Sequence, residues 1–387
     1  MKHRKIRMGM IGGGTGAFIG SVHRIAARLD GHIELVCGAF SSSPEKSKET
    51  GQELYLPEER VYTTWQEMIL QEAQRKEGDR MDIVSIVTPN HLHAAPAIMA
   101  LEHGFAVICD KPLCLSIREA LEIKEAVKKS GLPFALTHTY TGYPMVKQAR
   151  HMIALGELGP VRKVVVEYPQ GWLTDKLEDE GQKQATWRSD PTKAGKAGAY
   201  GDIGTHAANM AEYVSGLQII KVLSQMSKVV EGRLLDDDTS ALLEFEGGVP
   251  GVLICSQISA GEENAVKVNV YGTKGGVEWC QEDENTLLVK RHGAPNQVYR
   301  TGVDNAYLAE VALVHTRVPS GHPEGYLEAF ANIYRNFAMA VRAHFSGSVH
   351  NPVCDFPDID DGVHGMALVD AMVESTTKGN VWTSPEH

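Results

Sequence analysis

The sequence predicts an α/β protein in two parts: a doubly wound parallel-sheet domain, then an α+β domain on a large, open, mostly antiparallel sheet. Three observations carry that expectation. In the first third, short continuous apolar runs alternate with segments of helical spacing, the texture of a parallel sheet covered on both faces. Beyond residue 137 the apolar residues recur with period two, as on strands with one buried face. A glycine-rich turn directly follows the first apolar run.

The elements follow in order. Ile6–Ile11 reads as a strand ending in glycines, Val22–Leu29 has helical spacing, and Ile33–Ala39 is strand-like. Pro44–Leu54 and Trp65–Arg75 read as helices, the first opened by Ser43 as N-cap with Pro44 in the first turn. Asp82–Val87 is an apolar strand, Ala94–His103 a helix, and Ala106–Cys109 a strand. Ser116–Lys129 is a helix whose Ser116 and Glu119 have capping-box spacing, and Phe134–Thr137 closes the series. Period-two runs then appear at Val161–Tyr168, Ile219–Val230, Ser240–Phe245, Gly251–Ile258, Val266–Tyr271 and Thr286–Lys290. Gly247-Gly248 and Gly275-Gly276 read as turns between them. Helices are expected at Thr205–Ser215, Tyr326–Phe345 and Gly362–Thr377, and Asp236-Asp237-Asp238 as a solvated turn. The domains expected are 1–137 and 138–387.

Composition narrows the function. The 387 residues carry 38 Lys+Arg against 49 Asp+Glu, a formal net charge of −11. That balance argues against a general nucleic-acid binder, which needs a positive footprint. At 43% hydrophobic and 22% charged the chain has ample material for a core. No run approaches the roughly 20 apolar residues that span a bilayer. The basic start Met1–Lys5 leads into glycines rather than a sustained apolar stretch, unlike a secretory signal. Six cysteines are scattered without Cys-x-x-Cys pairs or zinc spacing, as expected of buried thiols in a reducing, cytoplasmic compartment and of a protein without a metal site.

Gly12-Gly13-Gly14-Thr15-Gly16-Ala17-Phe18-Ile19-Gly20 follows the first strand and opens a helix. Such a turn lets the backbone approach a pyrophosphate while the helix N-terminus supplies positive potential, as in a Rossmann dinucleotide site. Gly12-x-Gly14-x-x-Ala17 fits the fingerprint with Ala in third place; alternatively Gly20 is the helix-packing glycine. After the second strand, where NAD enzymes usually place an acid for the ribose hydroxyl, the chain reads Phe40-Ser41-Ser42. Ser41 and Ser42 with Lys46 nearby suit a 2′-phosphate but equally a plain ribose, so the cofactor is NAD or NADP with a tilt to NADP.

Three further segments complete a pattern: Thr88-Pro89-Asn90-His91-Leu92-His93, Asp110-Lys111-Pro112 and Gly201-Asp202-Ile203-Gly204-Thr205-His206. With the glycine turn, these resemble the glucose–fructose oxidoreductase, inositol dehydrogenase and rhizopine-catabolism (Gfo/Idh/MocA) family, in its order and over nearly the whole chain. The resemblance implies that Lys111, in the place of the family's Glu-Lys-Pro lysine, reaches the nicotinamide ribose and the substrate hydroxyl. It implies that Asp202 and His206 line the substrate pocket. Asp110 stands where Glu is usual, Asn209 where Asp is frequent, and Thr139–Pro144 lacks the arginine common there. The implied cofactor contacts are Gly12, Gly14, Thr15, Ala17, Phe18, Ile19, Ser41, Ser42, Lys46, Thr88, Pro89, Asn90, His93, Asp110 and Lys111. His91 and His93 read as nicotinamide-side or packing residues.

The residue types suit alcohol oxidation. Hydride leaves the carbinol carbon while a base takes the hydroxyl proton, and an imidazole such as His206 titrates near working pH. Asp202, four residues earlier, shares a helix face with it, to orient the ring or bind a hydroxyl. Lys111 would acidify the hydroxyl or carry the proton. Without the family context, His206 reads rather as a helix histidine satisfied by Asp202, and the family context reverses that preference. Trp187 and Arg188 offer a stacking face and a guanidinium fork, or plain packing; His322 is a further candidate for the pocket. The expected function is hydride transfer between NAD(P) and a sugar, glycoside or inositol. A glycosidase using NAD transiently, or a non-catalytic dinucleotide binder, are the alternatives. The open sheet face leads to an expected homodimer or homotetramer.

Overall fold

The computed structural model describes residues 4–386. The basic opening at Met1–Lys5 thus falls largely outside the described residues. The chain forms two compact units: one of residues up to Cys114 with Arg118–Thr139 and Tyr326–Val363, the other of Leu115–Ile117, Tyr140–Gly325 and the chain from His364 onward.

The first unit holds five strands, β1 (Ile6–Gly12), β2 (Ile33–Ala39), β3 (Ile83–Val87), β4 (Ala106–Cys109) and β5 (Phe134–Leu136), in the order β2-β1-β3-β4-β5. Every pair is parallel. β3 and β4 are buried at every position, which is why they read as unbroken apolar runs. Helices α1 (Phe18–Leu29), α2 (Pro44–Glu53), α3 (Trp65–Gln74), α4 (Ala94–Glu102) and α5 (Ile117–Ser130) make the crossovers. The Ser43 hydroxyl caps α2 by accepting from the Lys46 amide, as the sequence leads one to expect. Because β1 lies between β2 and β3, the strand order reverses beside its carboxyl end, where doubly wound sheets bind their ligands.

The second unit holds α6 (Pro144–Ala154), β6 (Val161–Pro169), two short helices α7 (Lys183–Arg188) and α8 (Pro191–Ala194), and α9 (Thr205–Ser215). The rest of its sheet is β7 (Ile219–Ser227), β8 (Asp238–Phe245), β9 (Val249–Ser256), β10 (Lys267–Gly272), β11 (Gly275–Cys280), β12 (Thr286–Arg291) and β13 (Gln297–Arg300). The eight strands run β13-β12-β11-β10-β6-β9-β8-β7. β6 and β9 are parallel and the other pairs antiparallel. Along β6 and β8 burial alternates residue by residue, so one face is core, covered by α9 and α6, and the other is open. The expected fold class is met in both sheets. After α10 (Glu310–Leu313) come α11 (Tyr326–Ser346) and α12 (Ile359–Thr377).

Three expectations need correction. The division at residue 137 omits that Tyr326–Val363 belongs to the first unit. There α11 packs on α1, with the His23 ring edge-on to Phe330 at 4.6 Å. The acidic run is no solvated turn. Asp236 and Asp237 are buried. Asp236 accepts from the Gly198 and Tyr200 amides and the Thr239 hydroxyl, at 2.6, 2.8 and 3.1 Å; burial nonetheless pushes its carboxyl up from the usual range. Asp237 accepts from the Val229 and Val230 amides and from Arg233. Such buried carboxylates need these donors. Finally, Gly275-Gly276 begins strand β11, paired in register with Arg291 and Lys290, rather than forming a turn.

Candidate functional site

The glycine turn runs from the end of β1 to the start of α1. Gly12 has φ +82°, and a Cβ there would meet Val87 O at 2.9 Å and the Thr88 methyl at 2.8 Å. At Gly20 a Cβ would lie 2.4 Å from Gly13 Cα, so Gly20 is the glycine that lets α1 pack against the turn. The Thr15 amide donates to Thr50 Oγ1 at 3.0 Å and the Thr15 hydroxyl to Glu53 Oε2 at 2.9 Å. Ala17 is extended at the N-cap and its amide donates to Gly14 O at 2.9 Å. The first turn of α1 carries no acid, Phe18 is exposed, and Ile19 is half-buried. The loop therefore presents backbone and a helix N-terminus of positive potential.

After β2, Phe40 is buried and its amide donates to Ser47 Oγ at 3.0 Å. Ser41 is half-buried, its Oγ accepting from the Ser43 amide at 3.2 Å, while Ser42 and Lys46 are exposed. The Ser43 hydroxyl donates to Glu45 at 2.6 Å and holds that carboxyl below its ordinary value. An acid thus accompanies the two serines and the lysine expected there.

After β3, the Thr88 hydroxyl donates to Leu92 O at 3.1 Å, and Asn90 opens a short turn of 3₁₀ helix that follows Pro89. His93 is fully buried, with Nδ1 2.9 Å from Pro112 O and Nε2 2.8 Å from Thr88 O. Both ring nitrogens face backbone carbonyls, one on the Thr88 loop and one on the Pro112 loop. Burial lowers its pKa.

After β4, Asp110 Oδ1 accepts from the Lys111 amide at 2.9 Å and from the Thr137 hydroxyl at 2.8 Å. Burial would raise Asp110, but the His23 ring, the Lys111 charge and Thr137 overcome it and hold the carboxyl well below the carboxylate range. His138, which the sequence did not single out, is buried two residues after β5. Burial, then the nearby Lys111 charge, lowers it to about 3, so it is neutral at working pH.

The second unit carries the other cluster. Gly201-Asp202-Ile203-Gly204 lies in a π-helical turn, Tyr200–Gly204, that runs into α9. The four-residue spacing of Asp202 and His206 therefore crosses a widened turn rather than regular α-helix. Asp202 Oδ2 accepts from Arg188 Nε and from Gln257 Nε2, both at 2.9 Å. Arg188 also donates to Gln184 at 2.5 Å, and its guanidinium lies 4.2 Å from the centre of the Trp187 ring. Arg188 is thus bound to Asp202, with the Trp187 ring against its guanidinium.

His206 is 8% exposed, and the Tyr140 ring meets it edge-on at 4.9 Å. Hydroxyl directions follow from the acceptors. Tyr168 donates to Asn264 Oδ1 at 2.8 Å, so Tyr140, hydrogen-bonded to the Tyr168 hydroxyl, is the donor of that pair. Asn264 Nδ2 returns a bond to the Tyr140 oxygen at 3.2 Å and one to Gln281 at 3.0 Å. Gln170 donates to Asn264 Oδ1 at 2.5 Å and accepts from Trp172 at 3.0 Å. Burial raises the Tyr140 phenol. Asn209, one turn after His206, is buried with Oδ1 unpaired.

His322 does not join this cluster. It is exposed on a turn with Nδ1 3.2 Å from Pro319 O. Tyr140, Tyr168, Gln257 and Asn264 escaped the sequence reading, because strand ends and loops give polar residues no local signature. Among the described residues no group of three or more His, Cys, Asp or Glu is disposed to hold a metal ion, and no helix is long and apolar enough to cross a membrane.

Comparison with known proteins places this geometry in context. Residues 6–138 match the model of an oxidoreductase family with an NAD-binding Rossmann fold. Residues 146–278 match the GFO/IDH/MocA C-terminal domain. An uncharacterized oxidoreductase, YfiI, of Bacillus subtilis is 34% identical over 98% of this chain and 96% of its own. An oxidoreductase structure from Sinorhizobium meliloti superposes with a TM-score of 0.89 at 45% identity, covering 99% of this chain and all of that one. A structure of an inositol dehydrogenase homologue from Azotobacter vinelandii, complexed with NADH and myo-inositol, gives a TM-score of 0.91 at 34% identity, covering 99% and 98%.

Proposed function

The chain belongs to the Gfo/Idh/MocA oxidoreductase family, and from that premise we propose that it is a nicotinamide-dependent dehydrogenase of a polyhydroxylated ring, a sugar, glycoside or cyclitol. The observation that carries the substrate class is the set of hydrogen-bonding side chains linked to Asp202 and His206. Gln257 and Arg188 bond Asp202, Tyr140 abuts His206, and Tyr168, Asn264 and Gln170 continue the array. Although these groups bond one another, a polar, acid-bearing surround of this kind suits a ligand with many hydroxyls better than an apolar one.

The glycine turn fits a dinucleotide. Its backbone passes so close to Val87 that no side chain fits at Gly12, and no acid in the first turn of α1 opposes a pyrophosphate. When bound, the nicotinamide supplies the hydride acceptor or donor. Ser41, Ser42 and Lys46 favour a 2′-phosphate, while Glu45 beside them opposes one. The NADH in the A. vinelandii homologue supports NAD. The ratio of kcat/KM for the two nucleotides decides.

In this reading Lys111, with Asp110 ionised behind its amide, stabilises the developing alkoxide. His206 takes the hydroxyl proton, and Asp202, fixed by Arg188 and Gln257, binds or orients.

The testing experiment is a panel of sugars, glycosides and inositols with NAD or NADP, following reduced nicotinamide and released aglycone together. Net reduced nicotinamide with an intact glycosidic bond is expected. Aglycone release without net reduction would make the protein a glycosidase, and neither product would leave a non-catalytic binder.

A further inference from the structure

We propose that His23, on the helix that follows the glycine turn, is a positioning residue for the reaction: its Nε2–H faces Asp110 and fixes the carboxylate on which the Lys111 backbone hangs. This rests on the dehydrogenase reading in giving Lys111 its part. His23 is fully buried, and Nε2 has no hydrogen-bond partner; the polar atom facing it is Asp110 Oδ2, at 3.8 Å. On the other side, Nδ1 lies 2.7 Å from the Tyr334 hydroxyl, which lies 2.8 Å from Ser85 Oγ. Phe330 and Tyr334, both from α11, wall the ring edge-on.

These surroundings select the tautomer. A neutral ring protonated at Nδ1 would turn the Nε2 lone pair towards an ionised carboxylate, a repulsion with no water to relieve it. Protonation at Nε2 turns a positive N–H to Asp110 and leaves Nδ1 to accept from Tyr334, whose own oxygen accepts from Ser85. The imidazolium form also presents Nε2–H to Asp110. Either way the donor points the same way. Asp110 is thereby bounded by His23 on Oδ2 and by Thr137 and the Lys111 amide on Oδ1. The chain Ser85–Tyr334–His23–Asp110 ends at the loop that carries Lys111, and every side chain in it is buried or nearly so. Such a support orients a site group that it does not touch.

Two measurements test this. In the ligand-free protein, ¹⁵N spectra of the histidine rings, with His23 identified by its loss in His23→Asn, should show Nε2 protonated. An Nδ1–H tautomer with Nε2 bare would overturn the proposal. The second uses isosteres: the amide of Gln reaches the place of Nε2, and that of Asn only the place of Nδ1. His23→Asn should lower kcat roughly 10- to 100-fold in protein that is still folded at the assay temperature, with the NADH dissociation constant unchanged, and His23→Gln should recover most of the loss. Equal turnover in the two variants, at either level, would overturn the proposal. If the wild-type protein oxidises no polyol, the functional reading fails, and the ring spectra still decide the place of His23.

Discussion

Arg188 Nε donates to Asp202 Oδ2 at 2.9 Å while its guanidinium stacks 4.2 Å over Trp187. Both residues are largely covered, at 24% and 15% side-chain exposure, so the pair is stronger than a surface ion pair. Arg188→Leu removes the charge that fixes Asp202. The expected result is a KM for the polyol raised about tenfold, the cost of one charge-assisted contact, at unchanged affinity for NADH. Steady-state kinetics with nucleotide fluorescence titration checks it, and an unchanged KM removes Arg188 from the substrate side.

Lys111 and His206 are assigned to the chemistry rather than to binding. Lys111→Ala and His206→Ala should each lower kcat about 10²- to 10⁴-fold, the usual worth of a proton-transfer or charge-stabilising group. Nucleotide affinity should stay within a few-fold. Near-normal turnover in either variant excludes that residue from the mechanism.

The motif residues were legible because backbone constraints write themselves locally: a glycine turn after a strand, a Lys-Pro after another, an Asp and a His at the start of a helix. What surrounds them was not. Tyr140, Asn264 and Gln257 reach the Asp202–His206 cluster from distant points of the chain, and one sequence carries no record of which strand ends converge. Helix α11 was legible as a helix, yet its periodicity says only that one face is buried, not that His23 of α1 receives it. The run Asp236–Asp238 shows the same limit. A charged triplet reads as solvated until the amides of Gly198, Tyr200, Val229 and Val230 are seen to arrive.

His138 gives a pH dependence of stability. Burial, then the Lys111 charge, pulls it down to about 3, against roughly 6.5 when unfolded. Between those values the unfolded chain binds a proton that the native one does not, so stability rises with pH. Its contribution is complete above about pH 6.5 and is lost on acidification towards 3. Asp110 acts in the same direction only at lower pH, its folded carboxyl being depressed too. Denaturant unfolding from pH 7 to 4 should therefore show a falling stability in the wild type and a flatter profile in His138→Gln. Parallel profiles would show that His138 titrates normally.

Cofactor choice turns on the residues after β2. Ser41, half-buried with its hydroxyl accepting from the Ser43 amide, follows the second strand by two residues, the region from which NAD enzymes usually reach the ribose hydroxyl with an acid. Ser41→Asp should shift the ratio of kcat/KM towards NAD by about an order of magnitude, as a carboxylate repels a 2′-phosphate and binds a diol. An unchanged ratio would move the ribose contact elsewhere.

The open face of the second sheet predicts self-association. Leu242 of β8 and Ile254 of β9 are 49% and 37% exposed. Leu242 pairs in register with Val252, and Val252 with Val165 of β6, so an apolar stripe crosses three neighbouring strands. Lys221 and Glu244, paired at 3.0 Å, flank it on the β7 side. An apolar centre with a charged margin is the make-up of an interface rather than of a solvated sheet, and its two-fold repetition closes a dimer. Light scattering at micromolar concentration should give the mass of a homodimer or homotetramer. Leu242→Lys with Ile254→Lys should lower that mass, because lysine at the centre of such a patch must be desolvated without a partner. A monomer mass for the wild type would leave the stripe an unpaired face and end the expectation.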